Sequence, residues 1–461
     1  MIIYTTQSVP EQPVADFYDG KSVLLTGGTG FIGKVFIVKL LQNCPKIRKL
    51  YLLIREKKGV TAQKRFADII ENPLFSKLRE HTPEAFEKVV PIHGDITVPD
   101  LAISPTVEEE LIQNVSIVFH VAASVKFIEP IRKSLKDNVE GTMHVLKLCQ
   151  RMQNIELLVH MSTAYSNCRE HVVEERLYPP PADLTDLYLR LKQMGDDEDT
   201  SKLLNGWPNT YTFCKAIAEN YLAKHHGRVP TIIVRPSIVT AILHDPLEGW
   251  IDNWNGATGI LIPIAKGINR IMLGCGSNLV DLIPVDYVVN LSIVAAASNK
   301  KPKDVLFYNI CSTARNPITL KRVIDSFVEE SIKKLPFPRL YYITRYKWLV
   351  SLVTVLLQII PAYIVDAFRR LRGKRPFYVK LLNTLIKSRD TVEFFTAHSW
   401  VFKSDGVASL YNSLSPRDRE RFPCDPANIE WREHMAKYYD GVQRFVFTTT
   451  NKTTTKVNKL I

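Results

Sequence analysis

Short apolar runs alternate with longer amphipathic stretches through the first two thirds of the chain. Residues 21–55 contain an apolar run at residues 23–25, a glycine-rich turn, an amphipathic stretch over residues 31–41 and a second apolar run over residues 49–54. This order predicts a strand–helix–strand unit whose two strands lie parallel. Further strands, separated by helical stretches, are predicted over residues 89–93, 116–120, 157–161, 231–235 and 305–309. The pattern therefore predicts an α/β fold with a Rossmann-type, doubly wound parallel sheet.

This alternation ends near residues 333–338. Residues 348–365 then form a run of eighteen residues without a charged side chain. A run of this length predicts either a membrane-associated helix or a buried helix of a second domain, and Gln358 and Pro361 weaken the case for a full span. Because residues 331–390 hold 13 Lys or Arg and only 2 acidic residues, we expect a basic surface beside a membrane and not a nucleic-acid enzyme.

Five units are expected along the chain. They are an N-terminal tail (1–20), a dinucleotide-binding domain with substrate-binding insertions (21–330), a basic, apolar membrane-associated segment (331–376), a small helical C-terminal domain (377–447) and a polar tail (448–461). The aromatic residues of the helical domain are interpreted as core anchors and not as cofactor contacts: Phe394, Phe395, Trp400, Phe422 and Trp431.

The composition is that of an ordered globular protein. The 461 residues are 46% hydrophobic and 23% charged, and the net charge is +13. The seven cysteines form no CxxC pair and no metal-ligand spacing, so we expect reduced thiols and no metal site. The first twenty residues are polar, contain Pro10 and Pro13, and lack the apolar region of a secretory signal. We therefore expect the catalytic half to face the cytosol, while the oligomeric state stays open.

The turn after the first strand is typical of a dinucleotide-binding site. It follows both the GxxGxxG and the GxGxxG spacing, directly after a strand and at the start of a helix. Glycine permits positive φ, lets the backbone approach a pyrophosphate and allows close helix–strand packing. The helix N-terminus then offers N–H groups to the phosphates. The predicted cofactor contacts here are Thr26, Gly27, Gly28, Thr29, Gly30, Phe31, Ile32 and Gly33.

The end of the second strand indicates which dinucleotide binds. An NAD site places an acidic residue there for the ribose 2′-hydroxyl, but this chain has Arg55, followed by Lys57 and Lys58. A cation suits a 2′-phosphate, so we expect NADPH, although the adjacent Glu56 argues for NAD. Asp95 follows the third strand and is expected either to meet the adenine or to cap the following turn.

Tyr211 and Lys215 stand four residues apart in a predicted helix, which places the phenol and the ammonium on one face. A neighbouring ammonium favours phenolate and lowers the pKa of a phenol toward the working range of an acid–base catalyst. Ser162 and Thr163 follow the strand over residues 157–161, where a hydroxyl could hydrogen-bond a reacting carbonyl oxygen. These residues predict a carbonyl-reducing centre beside the dinucleotide.

The chain resembles the extended short-chain dehydrogenase/reductase superfamily in five motifs: TGGTGFIG at 26–33, HVAASVKF at 120–127, HMSTAYSN at 160–167, YTFCK at 211–215 and VRPSIV at 234–239. Within it, the chain resembles insect-type fatty acyl-CoA reductases and is similar in length and layout to the moth pheromone-gland group. Three further stretches support this narrower resemblance: GWIDN at 249–253, IPVDY at 283–287 and the C-terminal aromatic residues. The resemblance covers nearly the whole chain, including the male-sterility-type C-terminal domain.

The resemblance implies a reaction and a role for each motif. Family members reduce a long-chain acyl-CoA with two NADPH to a primary alcohol and release CoA. Tyr211 would donate the proton, and Lys215 would tune it and bind the nicotinamide ribose. Thr163, with Ser162 as the runner-up, would hold the substrate oxygen. The resemblance also implies an enzyme at the endoplasmic reticulum membrane, with the peroxisome as the alternative, and the remaining cofactor contacts: Ile96, Ala122, Ala123 and Pro236.

Other residues near these motifs are interpreted as structural. His120 and His160 at strand ends are read as core histidines with satisfied hydrogen bonds, and Cys214 is read as packing because no covalent cysteine is needed. Ala257 stands where relatives are expected to have proline. The alternatives are another extended short-chain enzyme, such as an epimerase, a dehydratase or a hydroxysteroid-type dehydrogenase, or a non-catalytic NADP-sensing protein.

Overall fold

A seven-stranded parallel sheet forms the centre of the molecule, whose computed structural model describes residues 13–195, 200–299, 301–334 and 340–447. The described strands are β1 (Ser22–Thr26), β2 (Lys49–Ile54), β3 (Val89–His93), β4 (Val115–His120), β5 (Leu157–Met161), β6 (Val172–Val173), β7 (Thr231–Pro236), β8 (Ile238–Thr240), β9 (Ile271–Leu273), β10 (Leu279–Val280), β11 (Leu282–Pro284), β12 (Leu306–Ile310), β13 (Ile318–Thr319), β14 (Tyr342–Thr344) and β15 (Val401–Phe402). The sheet has the order β12–β7–β5–β4–β1–β2–β3, and every neighbouring pair is parallel. The predicted parallel sheet is confirmed.

Helices surround this sheet. The described helices are α1 (Val14–Phe17), α2 (Phe31–Asn43), α3 (Ala62–Ile70), α4 (Ser76–His81), α5 (Pro105–Asn114), α6 (Ile131–Leu135), α7 (Gly141–Arg151), α8 (Leu184–Gln193), α9 (Thr210–His225), α10 (Thr258–Ala265), α11 (Val285–Ser298), α12 (Leu320–Lys334), α13 (Lys347–Thr354), α14 (Ile360–Leu371), α15 (Tyr378–Thr391), α16 (Glu393–Ala397), α17 (Asp405–Ser413), α18 (Pro416–Arg421) and α19 (Trp431–Gly441). Three π-helical turns join or extend them, at Lys136–Glu140, Val355–Ile359 and Val442–Phe447.

Successive residues of β1 enter two different cores. Val23 and Leu25 belong to the core that includes Phe36 of α2, whereas Leu24 belongs to the core that includes Val145 of α7. Side chains alternate between the faces of a strand, and both faces of this sheet are covered. The strand therefore reads as a continuous apolar run and not as an alternating one.

Strands are added to the sheet on both sides of β1. From β1 the chain adds β2 and β3 on one side, and β4, β5, β7 and β12 on the other. Connections that leave adjacent strands in opposite directions open a crevice at the carboxyl ends of the strands. Thr26 ends β1 beside His120 of β4, so the crevice begins at the glycine-rich turn.

The described end of the predicted N-terminal tail belongs to the core. Val14 and Phe17 of α1 are buried, and the Tyr18 hydroxyl donates to the Ile293 carbonyl at 2.8 Å. The Val14 N–H donates to the Asp418 carboxylate at 3.2 Å. Residues 14–18 thus hold the start of the chain against its C-terminal part. The first twelve residues and the predicted polar tail 448–461 lie outside the described residues, as do residues 335–338 of the expected break.

The C-terminal helices share the core of the sheet domain. Tyr438 of α19 packs against the ring of Phe327 of α12 at 5.2 Å, and its hydroxyl lies 2.6 Å from the Thr258 hydroxyl. The imidazole Nε2 of His434 lies 2.7 Å from the Thr240 hydroxyl at the end of β8. Of the predicted aromatic anchors, three are buried, namely Trp400, Phe422 and Trp431, whereas Phe394 and Phe395 are half-buried.

The apolar run predicted over residues 348–365 forms a single helix over Lys347–Leu371, made of α13, a π-helical turn and α14. By length and composition it could cross a membrane. Pro361 lies directly after the π-helical turn at Val355–Ile359. Proline lacks an N–H and crowds the preceding turn, and the wider π geometry relieves that crowding.

The contact between α19 and the segment after β8 depends on two glycines. A methyl group at Gly441 would overlap the carbonyl oxygen of Gly249. We expect Gly441→Ala to lower the free energy of unfolding by about 1–3 kcal/mol, because the two backbones must move apart. Asn412→Ala, at an exposed position of α17, is the control and should change it by less than about 0.5 kcal/mol. Urea unfolding curves that coincide for the two variants would contradict the close packing.

Candidate active site

A cavity of about 950 Å³ lies at the carboxyl ends of the central strands. It brings together residues that are far apart in sequence, from the turn after β1 to helix α16. Nearly all of the predicted site residues line it: Thr26, Gly27, Thr29, Gly30, Phe31, Ile32, Gly33, Arg55, Asp95, Ile96, Ala122, Ala123, Ser162, Thr163, Tyr211, Lys215 and Pro236. The exception is Gly28, where an added methyl group would lie 3.4 Å from Leu52 and 3.5 Å from Ile37. Gly28 therefore packs toward the core, and its backbone contact with a cofactor stays a prediction.

The backbone at the end of β1 packs too closely for side chains. Gly27 has a φ of +76°, and a methyl group there would lie 2.6 Å from the Ala122 nitrogen. A methyl group at Gly33 would overlap the Gly27 carbonyl oxygen. Gly30 precedes α2, so the N–H groups of the first helical turn point to the cavity. A cradle without side chains at a helix N-terminus fits the pyrophosphate of a dinucleotide.

Cations surround the far end of this cradle. Arg55 follows β2, and its guanidinium lies 3.6 Å from the Asp95 carboxylate. Lys57 and Arg65 also line the cavity, whereas Lys58 does not. Arg65 lies in α3 and donates from its guanidinium to the Arg55 carbonyl. The motifs did not predict Arg65 because it lies eleven residues beyond the strand, and only its position one turn inside the next helix indicates it.

Asp95 caps the turn that follows β3. Its Oδ1 accepts from the Thr97 N–H at 2.9 Å, while its Oδ2 faces Arg55. Of the two roles that the sequence allowed for Asp95, a turn cap or an adenine contact, the structure shows the turn cap. The carboxylate also fixes the position of the Arg55 guanidinium at the mouth of the cavity.

Tyr211 and Lys215 occupy the first turns of α9, which begins after Asn209. The Asn209 side chain accepts from the Thr212 N–H at 2.9 Å and so caps the helix. The Lys215 ammonium donates to the Met161 carbonyl at the end of β5 at 2.6 Å. This bond places the cation directly below the turn that carries Thr163.

Burial has the largest effect on the pKa values of this pair. Burial raises the pKa of Tyr211, and the hydrogen bond with Thr163 acts to lower it. Burial lowers the pKa of Lys215 to about 8, against the smaller opposing effect of Glu219. The structure thus shows Thr163 as the group that acts to lower the pKa of the phenol, and the effect of Lys215 on it stays a prediction.

A buried ion pair separates the roles of the two hydroxyls after β5. Ser162 and Ser166 both donate to the Glu219 carboxylate, which pairs with Arg235 of β7 through bonds of 2.7 and 2.9 Å. Thr163 instead accepts from the Tyr165 N–H at 3.3 Å and lies 3.5 Å from the Pro236 carbonyl. The Ser162 proton is committed to Glu219, so Thr163 is the hydroxyl that faces Tyr211.

Two histidines lie in adjacent strands beneath this site, with their ring centres 5.2 Å apart. His120 lies 2.8 Å from the Thr26 hydroxyl and 3.2 Å from that of Thr142, so its prediction as a satisfied core histidine is confirmed. Neither ring nitrogen of His160 has a hydrogen-bond partner in the described part of the chain, so the same prediction is wrong for His160. Burial lowers the pKa of His120 to about 3 and that of His160 well below its ordinary value, so both are neutral.

An apolar arm extends the cavity beyond Tyr211. Its walls come from scattered residues that no motif predicts: Ile260, Leu261, Met272, Leu279, Leu282, Leu320, Val323, Ile324 and Val392. Ala257, the departure from the expected proline, also lines the cavity. These side chains give the arm the apolar chemistry that suits an alkyl chain.

The C-terminal part of the chain closes the cavity above the catalytic residues. Phe395 of α16 packs on Phe127 with ring centres 5.6 Å apart, and Phe127 stacks on Tyr211 at 6.0 Å. Phe395 also meets the ring of Tyr165 at 5.2 Å. The interpretation of Phe395 as a core anchor is thus incomplete, because the side chain lines the cavity as well.

Comparison with known proteins identifies the family. Residues 25–292 match a family model described as "Male sterility protein", and residues 357–449 match a second model with the same description. Fatty acyl-CoA reductase 1 of Gallus gallus is 37% identical over 94% of this chain and 86% of its own length. The chain belongs to the fatty acyl-CoA reductase family. Fatty acyl-CoA reductase 1 of Homo sapiens is 36% identical over the same shares.

The fold of this chain has counterparts among solved structures. The terminal R domain from the myxalamid PKS-NRPS biosynthetic pathway has a TM-score of 0.60 at 18% identity, and the match covers 93% of this chain and 92% of that domain. This likeness supports the extended short-chain dehydrogenase/reductase fold. The region that matches the first family model contains Tyr211, and the region that matches the second contains Phe395. Both regions therefore line the cavity.

The ion pair beneath the site should dominate local stability. Glu219→Gln leaves the buried Arg235 guanidinium without a counter-charge, and we expect a loss of about 3–5 kcal/mol in the free energy of unfolding. The control is Glu174→Gln, which breaks an exposed pair with Arg176 and should cost less than about 1 kcal/mol. Replacing the pair together, by Glu219→Gln with Arg235→Met, should recover part of the loss. Urea unfolding measures all three, and equal stabilities of the two single variants would refute the assignment.

Proposed function

We propose that this chain is an NADPH-dependent fatty acyl-CoA reductase that reduces a long-chain acyl-CoA to a primary alcohol and releases CoA. One observation carries the proposal. A single cavity holds a cradle for a dinucleotide, a Tyr211–Thr163 pair at its centre and an apolar arm beyond it. A carbonyl group at the centre would have the cofactor on one side and its alkyl chain in the arm. The membership in the reductase family supports the same substrate class.

The residues at the centre supply the proton chemistry. Bound NADPH would supply the hydride for each of the two reductions. Burial keeps Tyr211 protonated, so the phenol can hydrogen-bond the substrate oxygen with Thr163 and donate its proton as charge develops there. Lys215, with a pKa lowered to about 8, stabilises the phenolate once the proton has left.

The two reductions balance without a covalent enzyme intermediate. The first converts the thioester to a thiohemiacetal, whose collapse breaks the carbon–sulfur bond and releases CoA with an aldehyde. The second converts the aldehyde to an alkoxide, which takes a proton from Tyr211. Cys214 is buried, and burial raises its pKa to about 12, so it is no nucleophile in this scheme.

The preference for NADPH rests on the basic end of the cradle. Arg55, Lys57 and Arg65 all line the cavity there. A 2′-phosphate would meet guanidinium groups that can bind it through bidentate hydrogen bonds. The uncharged 2′-hydroxyl of NADH would gain no such charged hydrogen bonds. Asp95 lies 3.6 Å from the Arg55 guanidinium and holds it beside the other two cations, where all three can meet the phosphate.

We also propose that the enzyme works at a membrane, with the endoplasmic reticulum preferred over the peroxisome and the catalytic domain in the cytosol. The apolar helix supports membrane contact by its length and composition. A long-chain alcohol partitions into a bilayer, so an enzyme at the surface releases its product where it is soluble. A role in pheromone or wax synthesis stays a prediction.

The reaction is tested by incubating the purified protein with palmitoyl-CoA and NADPH and analysing the products by gas chromatography. We expect hexadecanol and free CoA, with two NADPH consumed for each alcohol formed. Formation of neither alcohol nor aldehyde, while a nucleotide sugar or a steroid is turned over, would replace this function by that of another extended short-chain enzyme.

Tyr211→Phe should bind NADPH with unchanged affinity and lose about 10²-fold or more in kcat, because the proton donor is missing while the cradle is intact. NADPH fluorescence titration and turnover measure the two effects separately. Tyr221→Phe, later in the same helix, is the control and should retain kcat. Turnover of Tyr211→Phe at the level of the Tyr221→Phe variant would remove Tyr211 from the mechanism.

Arg55→Ala should raise KM for NADPH about 10-fold or more and leave KM for NADH nearly unchanged, since a charged hydrogen bond is worth about 1.5–3 kcal/mol. Lys58→Ala removes a cation whose side chain does not line the cavity and serves as the control. Steady-state kinetics with both cofactors measure the ratio. An equal rise for NADPH and NADH would show that Arg55 does not contact a 2′-phosphate.

A further inference from the structure

The helix over Lys347–Leu371, named the apolar helix below, exposes large apolar side chains along its length. The fractional exposure of Trp348 is 65%, that of Tyr363 is 60% and that of Phe368 is 59%. Leu352, Leu356 and Ile360 between them are also exposed. A continuous apolar face of this length on a globular chain marks an interaction surface.

The opposite side of the apolar helix is held to the body by polar contacts. The Thr354 hydroxyl accepts from the Arg389 guanidinium of α15 at 2.9 Å. The Asp366 carboxylate accepts from the N–H groups of three residues at the start of α15, at 2.7, 3.0 and 3.0 Å: Phe377, Tyr378 and Val379. The two contacts are twelve residues apart, or about 18 Å along the helix. The helix is therefore fixed along its length to α15.

A bilayer-spanning position would conflict with these contacts. The hydrocarbon core is about 30 Å thick, so a span would use about 20 residues of this helix and carry Thr354 into it, together with the Arg389 side chain. Although burial opposes the charge, the backbone donors and Arg369 keep the pKa of Asp366 below its ordinary value, so this carboxylate is charged as well. Charged groups in hydrocarbon are costly. A position with one face in lipid and the other on the protein avoids that cost.

Charges and aromatic rings around the apolar helix indicate what covers it. Four exposed cations lie in the last turn of the helix or just after it, namely Arg370, Arg372, Lys374 and Arg375. Tyr346 and Trp348 are exposed at its N-terminal end. Cations beside an apolar face match anionic lipid headgroups, and Tyr and Trp favour the interface between headgroups and acyl chains.

We propose that the apolar helix lies in the plane of a membrane, inserted by its exposed face into one leaflet rich in anionic lipid, and does not cross the bilayer. The benefit of this position to catalysis rests on the function proposed above, because the apolar helix brings the cavity to the leaflet that holds long acyl chains. Met272 of β9 lines the apolar arm, and β9 packs directly against α13 at the start of the anchor. The arm therefore ends next to the membrane, and acyl chains and alcohols exchange with that leaflet.

Depth measurements with brominated lipids distinguish the two positions. The protein carries native Trp348 near one end of the apolar helix, and two variants in a Trp348→Phe background place the probe at its middle and at its other end, Leu356→Trp and Phe368→Trp. An in-plane helix gives all three indoles the same shallow depth, about 5–10 Å below the headgroups. A spanning helix puts the middle indole at the bilayer centre and only the end indoles near the surfaces. Leu189→Trp, exposed on α8 and made in the same Trp348→Phe background, is the control and should show no quenching.

Charge reversal tests the lipid preference. The triple variant Arg370→Glu, Arg372→Glu and Lys374→Glu should bind vesicles with phosphatidylserine about 100-fold more weakly and vesicles of phosphatidylcholine alone nearly as before. A control triple variant at exposed cations of other helices should bind like the unmodified protein: Lys147→Glu, Lys192→Glu and Lys224→Glu. Both triple variants should reduce palmitoyl-CoA in detergent at the unmodified rate, which separates the anchor from the chemistry.

Three results would overturn the proposal. The first is quenching of the Leu356→Trp indole by lipids brominated at the bilayer centre. The second is the absence of quenching for all three helix positions in anionic vesicles. The third is a vesicle-independent dimer that Leu356→Glu dissociates, which would make a second copy of the chain the occupant of the face. Loss of reductase activity in detergent with the depth pattern intact would instead overturn the proposed function and leave the anchor in place.

Discussion

A buried ion pair between Glu219 of α9 and Arg235 of β7 organises the catalytic side of the molecule. The guanidinium is fully buried, and it also donates to the carbonyl groups of Glu174 and Arg176 in the segment around β6. The carboxylate accepts from both serines of the turn after β5. One charge pair thus fixes a helix, a strand and two loops relative to each other. Because every nitrogen of the guanidinium and both oxygens of the carboxylate have a hydrogen-bond partner, the pair can remain charged inside the protein.

The position of the reacting groups follows from that arrangement. α9 carries Tyr211 and Lys215 over the end of β5, where the lysine meets the Met161 carbonyl and the tyrosine meets Thr163. The same pair occupies Ser162, so Thr163 is the hydroxyl that faces Tyr211. The difference between the Ser162 and Thr163 hydroxyls therefore follows from the ion pair beneath the site and not from their order in the chain.

The cavity joins two chemically different ends. At one end three cations surround a cradle of backbone N–H groups, which suits the phosphates of a dinucleotide. At the other end apolar side chains from α10, β9 and α12 form an arm beside the apolar helix. The C-terminal helices complete this arm and share the core with the sheet, so the second matched region is a structural part of the reductase and not an appendage. The molecule thereby places a water-soluble cofactor and a membrane-soluble chain at opposite ends of one site.

The sequence by itself determined the features that depend on neighbouring residues. The strand positions, the glycine turn, Arg55 after β2 and the four-residue spacing of Tyr211 and Lys215 are all local, and each follows from periodicity or from the φ angles that a turn requires. Only the tertiary structure decided which way Gly28 faces, which hydroxyl faces Tyr211, that His160 lacks a hydrogen-bond partner among the described residues and that Phe395 lines the cavity. These features arise from contacts between segments tens to hundreds of residues apart. No local pattern encodes such contacts, because burial and hydrogen bonding at one segment depend on the side chains that another segment brings to it.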